Sequence, residues 1–254
     1  MTAAAGASTG GHVTGLWRHP VKALGREPLD QVTLTPGQTM PGDRIWALEH
    51  EAGQAAPDTW SRCINFIRAA GSPELMAVTC QMDGDRVTLR HPRRPDLTVN
   101  PDTEADRLVA WAAPLVPEGR AAPVRVRRDP ARAMTDSRTR TLSIANHASH
   151  RAVEQRLGTS LSIHRWRANI WIDGFPLWEE FDWIGREVRI GGTVLRVVKP
   201  VERCAATTAN PETGARDADT LGALDSFGHQ NFSVLGEVIL GGDIHTGDAV
   251  ALIP

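Results

Sequence analysis

Cys204 is the residue of this sequence best suited to nucleophilic or metal chemistry. It lies in the segment Val198–Thr208, shortly after a predicted strand that ends at a proline. The positive charges of Lys199 and Arg203 favour the thiolate, which is the form that attacks an electrophile or binds a soft metal. On these features alone, a half-buried core cysteine is the alternative interpretation.

Three basic residues, Lys22, Arg44 and Arg167, lie at predicted strand–loop edges beside glycine, proline or aromatic residues. Residues of this kind bind phosphate or another anion when they converge, and an arginine does so through two parallel hydrogen bonds. Spacing alone does not show convergence, and each residue taken singly is compatible with a solvated surface charge.

Other sets of chemically capable residues match no known site. The histidines form no HExxH motif, the three cysteines form no CxxC pair, and the paired glycines resemble turns rather than a dinucleotide-binding loop or a P-loop. The acidic cluster of Glu179, Glu180 and Asp182 is a candidate acid/base site, but we interpret it as a surface loop anchored by Trp178 and Trp183.

The composition excludes several classes of protein. The 254 residues are 41% hydrophobic and 23% charged, which is typical of a globular protein, and the net charge of -2 argues against nucleic-acid binding through bulk charge. No apolar run is long enough to span a membrane, and tyrosine chemistry is absent. Residues 1–11 lack the features of a signal peptide, so we expect a flexible N-terminus and a cytoplasmic protein.

The elements that must position these residues are predicted to be mostly strands. The 23 glycines and 17 prolines favour many turns and short strands, with hairpins at Asp83-Gly84 and Gly191-Gly192. The predicted strands are 12–17, 32–34, 45–48, 75–80, 86–90, 124–127, 170–172, 187–190, 194–198, 232–240 and 249–253. We therefore expect an α+β fold that is mostly β, with a barrel or sandwich core and peripheral helices.

Three helices are predicted from apolar spacing and end signals. They cover 103–115, 149–157 and 218–227, with Ser149 as the N-cap and Gly158 as the stop of the second. Pro117-Glu118-Gly119 is the best internal boundary.

Five segments, read in order, resemble the MOSC proteins, a family named for the C-terminal domain of molybdenum-cofactor sulfurase. The segments are Trp17–Lys22, similar to Y-P-V-K; Gly42–Leu48, similar to G-D-R-x-W-x-L; Arg167–Ile170, similar to R-P-N-I; Lys199–Gly214, similar to K-P-C-x-R-C-x-x-T-T-x-D-P-x-T-G; and Gly242–Val250, similar to G-x-I-x-V-G-D-x-V. The resemblance implies a MOSC N-terminal β-barrel domain at 12–119, packed against a β-barrel-like MOSC domain at 120–254, with a cofactor cleft between them.

The resemblance also implies a site for the molybdenum cofactor. Cys204 matches the cysteine that ligates molybdenum in amidoxime-reducing proteins, and also the cysteine proposed to carry sulfur in other members. The cofactor-binding residues implied by the match are Lys22, Arg44, Arg167, Asn169, Thr207 and, through a looser alignment, Asp136 and Ser137. Ala23, Ala168 and Val201 depart from the family pattern, so a second cysteine at position 201 is excluded.

The resemblance favours a molybdenum-cofactor-dependent oxidoreductase that reduces N-hydroxylated or N-oxide small molecules. No ferredoxin-like segment is present of the kind that some bacterial relatives carry, so we expect electrons from a separate donor protein, with neither nucleic acid nor membrane as a partner. Two alternatives stay open: a sulfur carrier or transferase that uses a Cys204 persulfide, and a non-catalytic carrier of the cofactor.

Overall fold

A computed structural model describes residues 10–254 of the chain. Most of the segment predicted to be flexible, residues 1–11, lies outside the described residues, while Gly11 already belongs to the first strand. The strands are β1 Gly11–Arg18, β2 Glu27–Leu29, β3 Gln31–Leu34, β4 Trp46–His50, β5 Thr79–Asp83, β6 Arg86–His91, β7 Arg94–Val99, β8 Pro123–Arg128, β9 Leu142–Asn146, β10 Ile170–Asp173, β11 Glu187–Ile190, β12 Thr193–Glu202, β13 Asn231–Leu240, β14 Gly242–His245 and β15 Ala249–Leu252. The α-helices are α1 Ala105–Ala112, α2 His147–Leu157, α3 Glu179–Asp182 and α4 Thr220–Asp225.

Seven strands close into a barrel in the order β10-β9-β13-β12-β11-β15-β1, and β1 pairs antiparallel with β10 to complete the ring. Closure pairs the backbone groups that an open sheet would leave at its edges. The interior is filled by apolar side chains that alternate along the strands, among them Val13, Ile144, Ile172, Leu195 and Val234. The predicted fold class, mostly β with a barrel, is confirmed.

A second apolar core lies between the β4–β8 ribbon, the β5–β6–β7 sheet and α1. Trp46 and Leu48 of β4 pack there with Leu89 of β6 and Leu108 of α1. The strands β1 and β2 nevertheless belong to the barrel sheet, so the N-terminal part of the chain contributes to both bodies. The predicted domain boundaries stay a prediction.

Some local predictions were wrong. Residues 75–80 were expected to form a strand, but Pro73–Ala77 form a short 3-10 helix because proline favours the first position of a helix, and the strand begins at Thr79. The helix expected to begin after Ser149 begins at His147, because the Asn146 side chain accepts a hydrogen bond from the Ala148 N–H. Gly158, with φ of 66°, ends that helix as predicted.

The acidic cluster is also not the surface loop that was expected. Its residues form the short helix α3, and Glu180 is completely buried. Elsewhere, Trp46, Trp166 and Trp171 are buried core residues. None of the helices between residues 10 and 254 has the length and hydrophobicity needed to cross a membrane.

Candidate functional site

Unusual backbone geometry marks the loops that carry the candidate basic residues. Six non-glycine residues of the described chain have positive φ, and three of them belong to these loops: Ala23 at 70°, Arg44 at 51° and Arg167 at 48°. The left-handed region is unfavourable for residues with a Cβ, and such strain concentrates at functional sites.

Lys22 is buried, and its ammonium group is held by a loop that is more than a hundred residues away in sequence. Lys22 Nζ donates to the Met134 carbonyl at 2.8 Å and to Asp136 Oδ1 at 2.5 Å. Burial lowers the pKa of Lys22, and the Asp136 carboxylate opposes part of that shift. The same loop is tied to the next basic residue, since the Met134 N–H donates to the Arg44 carbonyl at 2.7 Å.

Arg44 is fixed by a buried Asp43–His19 pair. The His19 N–H donates to Asp43 Oδ1 at 2.7 Å, and the Arg44 guanidinium contacts the other oxygen of that carboxylate. Burial raises the pKa of Asp43, but Arg44 and the His19 hydrogen bond outweigh it and keep that pKa well below its usual range. Burial and then the charge of Arg167 lower the pKa of His19 to about 3, so the ring is neutral at pH 7.

Arg167 joins this cluster from the opposite side. Arg44 Nη2 donates to the Arg167 carbonyl at 3.2 Å, and Arg167 Nη1 donates to the Gly25 carbonyl at 3.2 Å. Arg167 Nη2 is buried and has no hydrogen-bond partner in the described part of the chain. Burial, with the charge of Arg44 as the second cause, lowers the pKa of the Arg167 guanidinium to about 9.

Cys204 is solvent-exposed at the start of a short 3-10 helix, Ala205–Thr208. Thr207 shapes this turn, because its N–H and its hydroxyl both donate to the Cys204 carbonyl at 3.1 Å. The preceding residue, Arg203, donates to the Phe232 and Trp166 carbonyls and to the Ser233 hydroxyl. The Cys204 turn and the Arg167 loop are therefore fixed to each other, since Trp166 directly precedes Arg167.

Two other predicted site residues are engaged by the protein itself. Asn169 Oδ1 accepts hydrogen bonds from the Ser143 N–H and hydroxyl, and its amide donates to the Trp17 carbonyl. Ser137 Oγ contacts Thr139 at 2.6 Å rather than any of the basic side chains. Of the predicted set, Lys22 contacts Asp136 and Arg44 contacts Arg167, and the backbone of Met134 links the two pairs. Cys204 and Thr207 are connected to the Arg167 loop through Arg203.

Comparison with known proteins identifies the family of this chain. The family model described as the MOSC domain matches residues 131–251, and that of the MOSC N-terminal beta barrel domain matches residues 10–119. The chain is a MOSC-domain protein. It is 25% identical to mitochondrial amidoxime-reducing component 1 of Homo sapiens, over 80% of this chain and 68% of that protein.

A solved structure shares the fold of this MOSC-domain protein. The crystal structure of the YUAD protein from Bacillus subtilis superposes with a TM-score of 0.50 and 12% identity, covering 95% of this chain and 94% of that chain. At that identity the likeness concerns the fold alone. The MOSC domain and the similarity to the human protein together support a function associated with the molybdenum cofactor.

The donor set of this MOSC-domain protein fits such a cofactor. Molybdopterin carries a phosphate and a soft metal, and the candidate residues supply an Arg167 N–H without a partner in the described chain, two further cations and an exposed thiol. Within residues 10–254, no group of three or more His, Cys, Asp or Glu side chains is placed to hold a metal ion. Cys204 therefore stands as a single candidate protein ligand, and the remaining metal ligands would come from the cofactor.

Sequence reasoning missed the buried pair that supports Arg44. His19 and Asp43 lie inside the segments that carry the family resemblance, but they were considered only for metal binding or not at all. Their role follows from a contact between two loops that are 24 residues apart. From the sequence, Arg203 was expected to favour the Cys204 thiolate. In the structure its guanidinium donates hydrogen bonds to two backbone carbonyls and one hydroxyl, a role that residue spacing in the sequence does not reveal.

Proposed function

We propose that this protein is an oxidoreductase that depends on the molybdenum cofactor and reduces N-hydroxylated or N-oxide small molecules. The proposal depends above all on one observation: the Arg167 loop, which contacts Arg44, is tied through Arg203 to the turn that carries the exposed Cys204 thiol, and one buried Arg167 N–H has no partner in the described chain. The similarity to an amidoxime-reducing protein supports the choice of reaction.

In this proposal, the site residues have different roles in binding the cofactor. Arg167 and Arg44 present guanidinium groups with the geometry that holds a phosphate through paired hydrogen bonds, and Lys22 adds a charge held in place by Asp136. Cys204 contributes a thiolate as a metal ligand, and Thr207 sets the turn that exposes it. Asn169 acts indirectly by fixing the backbone that follows Arg167.

When bound, the cofactor supplies two-electron oxygen-atom chemistry, and the protein supplies orientation and electrostatics. Reduction of an N-hydroxylated substrate takes up two electrons and two protons, breaks the N–O bond and releases water. The exposure of Cys204 leaves its thiol accessible to a small substrate. A separate protein delivers the electrons.

The test is metal and pterin analysis of protein made in a host that synthesises molybdopterin. We expect molybdenum and pterin near one per chain, loss of molybdenum with pterin retained in Cys204→Ala, and loss of both in Arg167→Gln. Arg189→Gln is the control and should retain both, since Arg189 lies on β11 and is exposed. Folded wild-type protein that contains neither molybdenum nor pterin would contradict the proposal.

The exposure of Cys204 favours a second candidate, a sulfur carrier. In that case Cys204 holds a persulfide and passes the outer sulfur to a nucleophilic acceptor, regenerating the thiolate. Intact-protein mass spectrometry distinguishes the two: a sulfur adduct on Cys204 in active, metal-free protein supports the carrier. Bound pterin with no turnover of any N-hydroxylated compound indicates a cofactor carrier.

A further inference from the structure

Five arginines near the site form no salt bridge with any described residue. In the described residues, most other surface arginines form salt bridges, for example Arg90 with Asp96 and Arg196 with Glu187. The exceptions beside the site, which we call the arginine rim, are Arg62, Arg68, Arg132, Arg138 and Arg140. None of them forms a salt bridge within residues 10–254, although the chain as a whole has a net charge of -2.

The arginine rim borders the cleft on two loops that are locked together. Trp60 Nε1 donates to the Thr135 carbonyl at 2.8 Å, and the guanidinium carbons of Arg132 and Arg138 lie 5.1 and 5.5 Å from the Trp60 ring centre. Thr135 directly precedes Asp136, the residue that holds Lys22, and the charge of Arg68 also acts on that carboxylate.

The turn that exposes Cys204 meets the same loops. Arg216 bridges them, because its guanidinium donates both to the Ala205 carbonyl, next to Cys204, and to the Ala70 carbonyl, two residues after Arg68. The exposed thiol and the arginine rim therefore belong to one continuous surface around the cleft.

Clustered like charges oppose folding unless something neutralises them. Arg132 shows the effect: burial lowers its pKa, Asp129 opposes that shift, and the nearby charges of Arg140 and Arg138 lower the pKa further. A one-sign patch of this kind attracts a surface of opposite charge and accelerates encounter. Arginine and tryptophan are also enriched at protein–protein interfaces.

We propose that the arginine rim is the docking surface for an acidic electron-donor protein. The proposal rests on the proposed function, because a reductase fed by a separate protein needs a docking surface next to its cofactor. An acidic donor held there would lie beside Lys22 and Cys204. The carboxylates of Asp129 and Asp136 lie near the rim, but within residues 10–254 neither forms a salt bridge with any of the five arginines.

The test compares two electron donors on the cofactor-loaded full chain. One is a plant-type [2Fe–2S] ferredoxin, an acidic one-electron carrier, and the other is reduced methyl viologen, a small cation that needs no docking surface. The variant carries Arg62→Glu and Arg138→Glu, and its control is Arg189→Glu on β11. A second variant, Arg138→Gln, removes one charge without reversing it.

We expect the ferredoxin-driven kcat/KM to fall at least tenfold in the double variant, severalfold in Arg138→Gln, and not in the control. The viologen-driven rate should change less than twofold in all of them. Equal loss with both donors, or no loss with ferredoxin, would overturn the proposal. A raised KM for an anionic substrate with both donors would assign the rim to substrate binding instead and would also overturn it.

A binding measurement separates this proposal from the proposed function. If wild-type protein reduces nothing with methyl viologen, the proposed reaction fails, but titration of ferredoxin against the full chain still tests the surface. Salt-sensitive binding that the double variant loses, with none for a basic cytochrome c, supports the docking surface. Binding that is absent, or equal in wild type and double variant, overturns it.

Discussion

Arg203 and Arg167 are neighbours in the fold, since Arg203 donates to the carbonyl of Trp166, and the protein uses their charges differently. Arg203 donates four hydrogen bonds, to Phe232, Trp166 and Ser233, and its guanidinium lies 5.7 Å from the ring centres of Trp166 and Phe232. Arg167 donates one, to Gly25, and its Nη2 has no partner in the described chain. Burial is the first cause that lowers the pKa of each guanidinium to about 9.

We infer from this difference that the Arg203 guanidinium stabilises the fold, whereas the Arg167 guanidinium is available to bind a ligand. Buried polar groups are almost always hydrogen-bonded, so a satisfied guanidinium needs no further explanation, whereas an unpartnered N–H does. The left-handed φ of Arg167 adds backbone strain to that unmet donor.

The first prediction concerns stability. Arg203→Met should lower the free energy of unfolding by about 3 kcal/mol, because it leaves the Trp166 and Phe232 carbonyls and the Ser233 hydroxyl without their donor. Arg167→Met should cost less than about 1 kcal/mol, because it removes a single hydrogen bond and an unmet donor. Urea unfolding measures the free energy of unfolding of both variants. Equal losses would contradict the inference that Arg203 stabilises the fold and Arg167 is available to a ligand.

Glu180 extends the comparison of satisfied and unsatisfied buried groups to a carboxyl group that has no counter-ion among the described residues. Glu180 Oε2 accepts from Asn146 Nδ2 and from the Ser149 hydroxyl, both at 3.0 Å, but its Oε1 has no partner among residues 10–254. Burial, opposed by these hydrogen bonds, raises the pKa of Glu180 from 4.5 to about 7.

The sign of the pH dependence follows from that shift. Between pH 4.5 and 7 the folded protein keeps a proton that the unfolded chain releases, so the stability that this group contributes at low pH is lost as the pH rises through 7. Glu180→Gln replaces the carboxyl group with an amide, which stays neutral as the pH rises. We expect wild type to lose about 3 kcal/mol relative to Glu180→Gln between pH 4.5 and 8, by chemical denaturation. A pH-independent difference would show that Glu180 ionises freely.

Much of the fold was predictable from local signals. The hairpin at Gly191-Gly192, the strand Glu187–Ile190 and the end of α2 at Gly158 follow from turn chemistry and alternation. Closure of the barrel was not predictable from the sequence, because β1 pairs with β10 across about 150 residues of intervening sequence and no local pattern specifies that partner.

The candidate site was predictable in its residue types but not in its connections. Motif order selected Lys22, Arg44 and Arg167, while the positive φ of Arg44 and Arg167 and the link through Met134 are set by tertiary packing. Asn169 shows the limit most clearly. Its place in a motif implied a cofactor contact, yet its amide is taken up by strand and loop backbone inside the barrel.

Asn169→Ala tests that structural role. It removes the acceptor for the Ser143 N–H and hydroxyl and the donor to the Trp17 carbonyl, so we expect a loss of about 2 kcal/mol in the free energy of unfolding. Ser137→Ala is the matched control, with an expected change of less than about 0.5 kcal/mol, since its hydroxyl contacts only Thr139 and a nearby backbone N–H. An unaltered unfolding midpoint in Asn169→Ala would return this residue to the cofactor-contact interpretation.

The prediction with the smallest expected effect tests whether the unpartnered Arg167 N–H is part of an anion-binding site. Inorganic phosphate should raise the thermal midpoint of the cofactor-free protein, because a ligand that binds only the folded state stabilises it. Arg167→Gln should weaken phosphate binding about tenfold, roughly 1.4 kcal/mol, by removing the charge and the free N–H together. Arg203→Lys, which keeps a positive charge near Cys204, and Arg189→Gln on β11 should retain the phosphate response. If Arg167→Gln responds to phosphate as wild type does, the unpartnered N–H is a packing defect and not part of an anion site.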